Sequence, residues 1–223
     1  MQPNRSFRAM KTPRKRIRAT RTLCAVLGAL LLSSWNTFAQ TADSESPWQH
    51  GMGDGFRRGA QSWTFSAGGA YGLQAVGSKQ SHDMILGSVN YGLMLDNTIG
   101  PGHWFAGNFD LQGQFYTAGQ LSPSKEWVVG LTPLLRYNFA IGMRWVPFID
   151  GGVGVAATSI RGPDLGGPLQ FNIHGGVGVQ RFLTDNTALT FETNYSHWSS
   201  ANIYTTNLGV NCVTAMAGVS FYF

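Results

Sequence analysis

The chain has 223 residues, of which 43% are hydrophobic and only 12% charged, with 29 glycines and a formal net charge of +5. Eight of its 16 basic residues and none of its 11 acidic ones lie within residues 1–22, so the remainder carries eight basic against 11 acidic, a net −3. That balance gives no case for nucleic-acid binding, and two cysteines, Cys24 and Cys212, are too few for a disulfide framework or a thiolate metal site.

Residues 1–39 read as a cleaved signal peptide. A basic region precedes the apolar run LCAVLGALLL, and Thr37 and Ala39 supply the small residues at the exit. The run is shorter than the ~20 apolar residues a membrane-spanning helix needs. Cys24 leaves with the leader, and Cys212 then has no partner in the chain. Met10 offers a more ordinary start for such a leader. Residues 40–60 are polar and Gly-rich and are expected to form a flexible periplasmic N-terminal segment.

From residue 61 to 223 a period of two dominates, the mark of half-exposed strands. In 63–74, Trp63, Phe65, Tyr71 and Leu73 alternate with Thr64, Ser66 and Gln74. In 104–116, Phe105, Phe109, Leu111 and Phe115 alternate with Asn108, Asp110, Gln112 and Gln114. In 127–139, Trp127, Val129, Leu131, Leu135 and Tyr137 alternate with Thr132, Arg136 and Asn138. In 169–180, Phe171, Ile173, Val177 and Val179 alternate with Gln170, Asn172, His174 and Gln180. Eight strands are predicted: 62–74, 83–95, 103–117, 126–140, 145–159, 169–182, 187–199 and 211–223. Turn-rich stretches such as SKQSHD, DNTIGPG, QLSPSKE, IRGPDLGGP and LTDNT separate them.

The strands carry large aromatics on one face and Asp110, Arg136, Asp150, His174 and Glu192 on the other. Those charges suit a narrow lumen and would not fill an apolar core. The predicted fold is therefore all-β, an eight-stranded antiparallel transmembrane β-barrel, because closure leaves no unpaired backbone in lipid. A barrel of eight strands is filled by side chains, so no channel is expected. Trp63, Trp104, Trp127 and Trp145 near strand ends read as girdle aromatics. The two GGVGV copies, 151–155 and 175–179, lack a following Lys-Ser/Thr and read as strand glycines, with no phosphate loop implied. The terminal GVSFYF resembles the C-terminal signal of outer-membrane barrels.

With an even strand count both termini face the periplasm. The segment after strand seven then lies outside the cell. His197 and Ser199 share the odd, lipid-facing parity of Leu189, Phe191 and Tyr195, and Asn211 holds the same parity on strand eight. A hydroxyl, an imidazole and an amide thus converge at one rim, the set a nucleophile, its base and an orienting group require. The bland alternative for each is a polar residue at a strand end.

The stretches HWSSA at 197–201 and NLGVN at 207–211 resemble the lipid A 3-O-deacylases, the PagL-like outer-membrane hydrolases, which carry H-x-S-N-A followed by N-x-G-x-E. The likeness extends over roughly 145–223. It implies Ser199 as nucleophile, His197 as general base and Asn211 in the place of the acidic member. It also implies Ser200, Ala201 and Asn202 as oxyanion or substrate-binding residues. Two departures stand out: Ser200 replaces Asn after the nucleophile, and Asn211 replaces Glu. An amide can orient the imidazole but brings no charge to stabilise imidazolium. The implied reaction removes an ester-linked 3-hydroxyacyl chain from lipid A of lipopolysaccharide, in the bacterial outer membrane with the active site at the outer leaflet. No cofactor, metal or nucleic acid is implied, and a homodimer is left open. The alternatives are a non-catalytic outer-membrane barrel with a structural or adhesion role, and a soluble periplasmic lipocalin-like binder.

Overall fold

A computed structural model describes residues 56–140 and 144–223. The expected signal peptide and residues 40–55 of the N-terminal segment lie outside the described residues. Eight antiparallel strands close into a barrel in the order β1 to β8. They are β1 Gln61–Leu73, β2 Asp83–Met94, β3 Gly107–Ser122, β4 Trp127–Phe139, β5 Trp145–Thr158, β6 Leu169–Phe182, β7 Thr187–Ser199 and β8 Val210–Tyr222. The seam between β1 and β8 runs from Ser62 opposite Tyr222 to Leu73 opposite Asn211. Backbone bonds between Gln61 and Phe223, 2.9 and 3.0 Å, place the start of β1 beside the chain's last residue. The barrel end with these residues is here called proximal and the opposite end distal.

Seven strands fall within about a residue of their predicted bounds. The exception is β3, predicted over 103–117 and found at Gly107–Ser122. Residues 103–106 continue the aromatic pattern but belong to the β2–β3 connection. Gly100 and Gly102 adopt φ of +60° and +83° there, and His103 stacks on Phe105. Trp104 consequently projects from this connection, 83% exposed, whereas Trp63 and Trp127 stand on strands. Trp145 opens β5, with the Arg181 guanidinium 5.2 Å from its ring centroid.

Side-chain direction follows parity around the whole ring. The outward residues Phe65, Ile85, Phe115, Leu131, Ile149, Ile173, Val177 and Phe191 are all exposed. An exposed apolar belt of this extent has no place in a soluble monomer and matches the lipid face of a membrane barrel. Among the described residues no helix is long and apolar enough to cross a membrane; the strands do the crossing.

The lumen holds three layers. Phe56, Met94, Val146, Phe182, Ala188 and Tyr222 pack at the proximal end. Phe56 is 1% exposed and its carbonyl accepts the Asn108 amide at 2.7 Å, so residues 56–60 of the N-terminal segment are anchored in the barrel. The middle layer is ionic: Arg136 donates to Asp150 at 2.7 Å and to Glu192 at 3.0 Å, and lies 3.7 Å from the Phe148 ring centroid. The predicted lumen set thus meets there, with Asp110 opposite Arg136 in the strand register and bound by Gln112 at 2.6 Å. The distal layer is apolar again, with Tyr116, Val128, Leu165, Trp198, Val210 and Cys212.

Candidate active site

His197 and Ser199 end β7, and Asn211 begins β8. The register pairs His197 directly with Asn211 on one side and with Ile173 on the other, while Ser199 faces Phe171 of β6. Alternation sends Ser196 and Trp198 into the lumen, where both are buried, and Tyr195, His197 and Ser199 outward. The sequence expectation that a hydroxyl, an imidazole and an amide share the outward face at one rim describes the observed placement. The rim is the distal one.

Asn211 is fully buried although it points outward, because its neighbours cover it. Its Nδ2 donates to the Ala75 carbonyl at 2.7 Å. A carbonyl only accepts, so this bond fixes which end of the amide is nitrogen. Oδ1 is thereby turned to the other side, where it accepts the Tyr195 hydroxyl at 2.5 Å and lies 2.7 Å from His197 Nδ1. An amide oxygen has no proton to give, so His197 carries its proton on Nδ1. In the neutral ring Nε2 then keeps its lone pair, the form a general base requires. Among the described residues no hydrogen bond joins this imidazole to the half-buried Ser199 hydroxyl.

The connection after Ser199 turns sharply. Ala201 and Asn202 take left-handed φ of 49° and 66°, and Gly209 takes 85°. Asn207 Oδ1 accepts both the Ser200 amide, at 2.6 Å, and the Ser200 hydroxyl, at 3.0 Å, while Asn207 Nδ2 donates to Asn202 Oδ1 at 3.1 Å. Ser200 is buried and its donors are engaged by Asn207; Ala201 and Asn202 are exposed at the tip. Gly209 abuts the imidazole so closely that a Cβ there would sit 2.6 Å from His197 Cε1.

Three contributors escaped the sequence reading. Tyr195 carried only a strand-parity signal. Asn207 stood in the NLGVN stretch without an assigned role. The Ala75 carbonyl lies 136 residues from Asn211 in sequence and left no signal at all. A separate cluster, Asp150, His174 and Glu192, brings potential metal-ligand atoms within 4.8 Å of one another. Arg136 already supplies positive charge to both carboxylates, and the cluster faces the lumen, away from the rim. His174 Nε2 is 3.4 Å from each acid, as expected of a lumen network.

Comparison with known proteins gives three findings. The sequence profile of a family described as "Lipid A 3-O-deacylase (PagL)" matches residues 31–220. The fold is similar to that of the outer membrane enzyme PagL, with a TM-score of 0.52 and 19% identity, covering 70% of this chain and 97% of that one. It is also similar to Neisserial surface protein A, NspA, with a TM-score of 0.56 and 16% identity, covering 74% of this chain and 100% of that one. At these identities the structural likenesses speak for the outer-membrane barrel fold alone. A comparison with curated proteins gives no match.

Proposed function

Starting from a chain that belongs to the lipid A 3-O-deacylase (PagL) family of the bacterial outer membrane, we propose that it is an esterase that removes an ester-linked 3-hydroxyacyl chain from lipid A. The observation that carries this reading is the Ala75–Asn211–His197 chain of hydrogen bonds, which leaves a basic imidazole nitrogen on the face that also bears Ser199. His197 Nε2 takes the proton of Ser199 as Oγ attacks the acyl carbonyl. The tetrahedral intermediate collapses, and the sugar oxygen leaves with that proton. Water, deprotonated by the same nitrogen, then releases the fatty acid and restores the serine. The developing oxyanion is assigned to the backbone N–H groups of the turn at Ala201 and Asn202, with Ser200 holding that turn through Asn207.

The distal rim is assigned to the cell surface, because an even-stranded barrel returns its termini to the periplasm. Lipid A of the outer leaflet then meets Ser199 sideways, along the membrane plane. The reaction needs no metal or organic cofactor. The decisive experiment is mass spectrometry of lipid A from cells with and without the protein. The expected result is loss of one 3-hydroxyacyl group with the wild type and full retention with Ser199→Ala or His197→Ala. Intact lipid A in the presence of folded wild type would favour a barrel without catalytic activity.

A further inference from the structure

We propose that Asp164, on the β5–β6 connection, is a positioning residue for the His197–Asn211 pair, a role that rests on the esterase reading above. Asp164 is fully buried in the distal cap and reaches both connections that touch the catalytic face. Its carboxylate holds the β1–β2 connection. Oδ1 accepts the Lys79 amide at 2.7 Å; Oδ2 accepts the Gln80 amide at 3.0 Å and the Ser78 hydroxyl at 3.3 Å. His82 Nε2 lies 2.9 Å from Oδ2, and its Nδ1 lies 2.8 Å from Gln120 Oε1, which extends the clamp to β3.

The held segment is the one that supplies the carbonyl fixing the Asn211 amide. Ala75 O accepts Asn211 Nδ2 and also the Ser78 amide, at 3.0 Å, so Ala75 and the clamped residues form one turn. The backbone carbonyl of Asp164 acts on the opposite side. It accepts the amides of Leu208 and Gly209, at 3.0 and 3.2 Å, on the β7–β8 connection. Gly209 is the residue lying against the His197 ring. One residue therefore sets the distance between the carbonyl that orients Asn211 and the glycine that backs the imidazole. Loss of the carboxylate frees the Ala75 turn, and the amide of Asn211 can then rotate and offer His197 a donor where it needs an acceptor.

The test uses the full barrel in detergent micelles with purified lipid A, and follows fatty-acid release for the wild type, Asp164→Ala, Asp164→Asn and Ser199→Ala. Rates are taken per folded barrel, counted by heat-modifiable migration. Asp164→Ala is expected to lower kcat about tenfold to a hundredfold, the scale of a small misplacement of a reacting group, with KM within about twofold. The side-chain amide resonance of Asn211 should shift with it. A purely structural role would lower the folded fraction and leave kcat per folded barrel unchanged. Asp164→Asn keeps the size and the backbone carbonyl but turns a donor toward Lys79 or Gln80; its kcat should fall about threefold or more. A folded Asp164→Ala within about twofold of wild-type kcat overturns the assignment, as does Asp164→Asn in the same range if the alanine variant does not fold. A wild type that releases no fatty acid overturns the esterase reading instead, and the positioning role falls with it. The two failures are told apart by whether the wild type shows turnover that Ser199→Ala abolishes.

Discussion

In the proposed site Asn211 holds the imidazole through a neutral amide, by geometry and without charge. It selects the Nδ1–H form of His197, so its removal is expected to be costly. Asn211→Ala should lower kcat by about 10²-fold or more, since a wrongly held tautomer alone costs ~10⁴ in a serine protease. Tyr195 donates to the same amide oxygen but leaves the Ala75 bond intact. Tyr195→Phe should therefore cost only about twofold to tenfold, the worth of one neutral hydrogen bond. Steady-state kinetics on the two variants checks the ranking, and equal losses would contradict it. At this scale the sequence was informative about placement and silent about support. The HWSSA and NLGVN spacing and one parity rule put His197, Ser199 and Asn211 on one face. Nothing in the sequence pointed to Ala75, because a backbone carbonyl has no side-chain signature and its partner is 136 residues away.

Strands were the most legible elements, because burial on one side and lipid on the other imposes a period of two that few other structures produce. β3 shows where that signal misleads. His103, Trp104 and Phe105 are aromatic for the sake of the proximal connection, where two glycines at positive φ turn the chain. The connections are where the site is built, and there the reading of glycine matters most. Gly209 combines a left-handed backbone with a missing Cβ against His197. Gly209→Ala should cost about 1–2 kcal/mol in backbone strain and should also push the imidazole off its axis. Turnover is expected to drop about tenfold or more while the barrel still migrates as folded on an unheated gel, since a small misplacement suffices. Turnover that stays at the wild-type level would mean that the ring has room to move.

The described barrel is inverted, apolar on its outer face and with its ion pairs buried in the middle of the lumen, and both faces make it testable. Val177 stands mid-strand on the lipid face, opposite Ile149 and Thr193. Val177→Arg should destabilise the barrel by about 2–4 kcal/mol in liposomes, measured by urea unfolding. A negligible change would argue that this belt does not meet hydrocarbon. Inside, Arg136→Met takes the guanidinium from Asp150 and Glu192 and leaves them His174 alone, and about 3–5 kcal/mol should be lost in the same assay. The inverted fold was legible because the charges fell on the face opposite the aromatics; the layering of the lumen was not, because it depends on strand register. One more property follows from the seam. His197 and Asn211 belong to the last two strands, and Ala75 follows the first, so the bond that orients the amide bridges the two ends of the sheet. A nascent chain on its way through the periplasm holds every residue of the machinery and none of its alignment. On the proposed esterase reading, hydrolytic competence arrives with the final stitch, which spares the lipids the unfinished chain passes along the way.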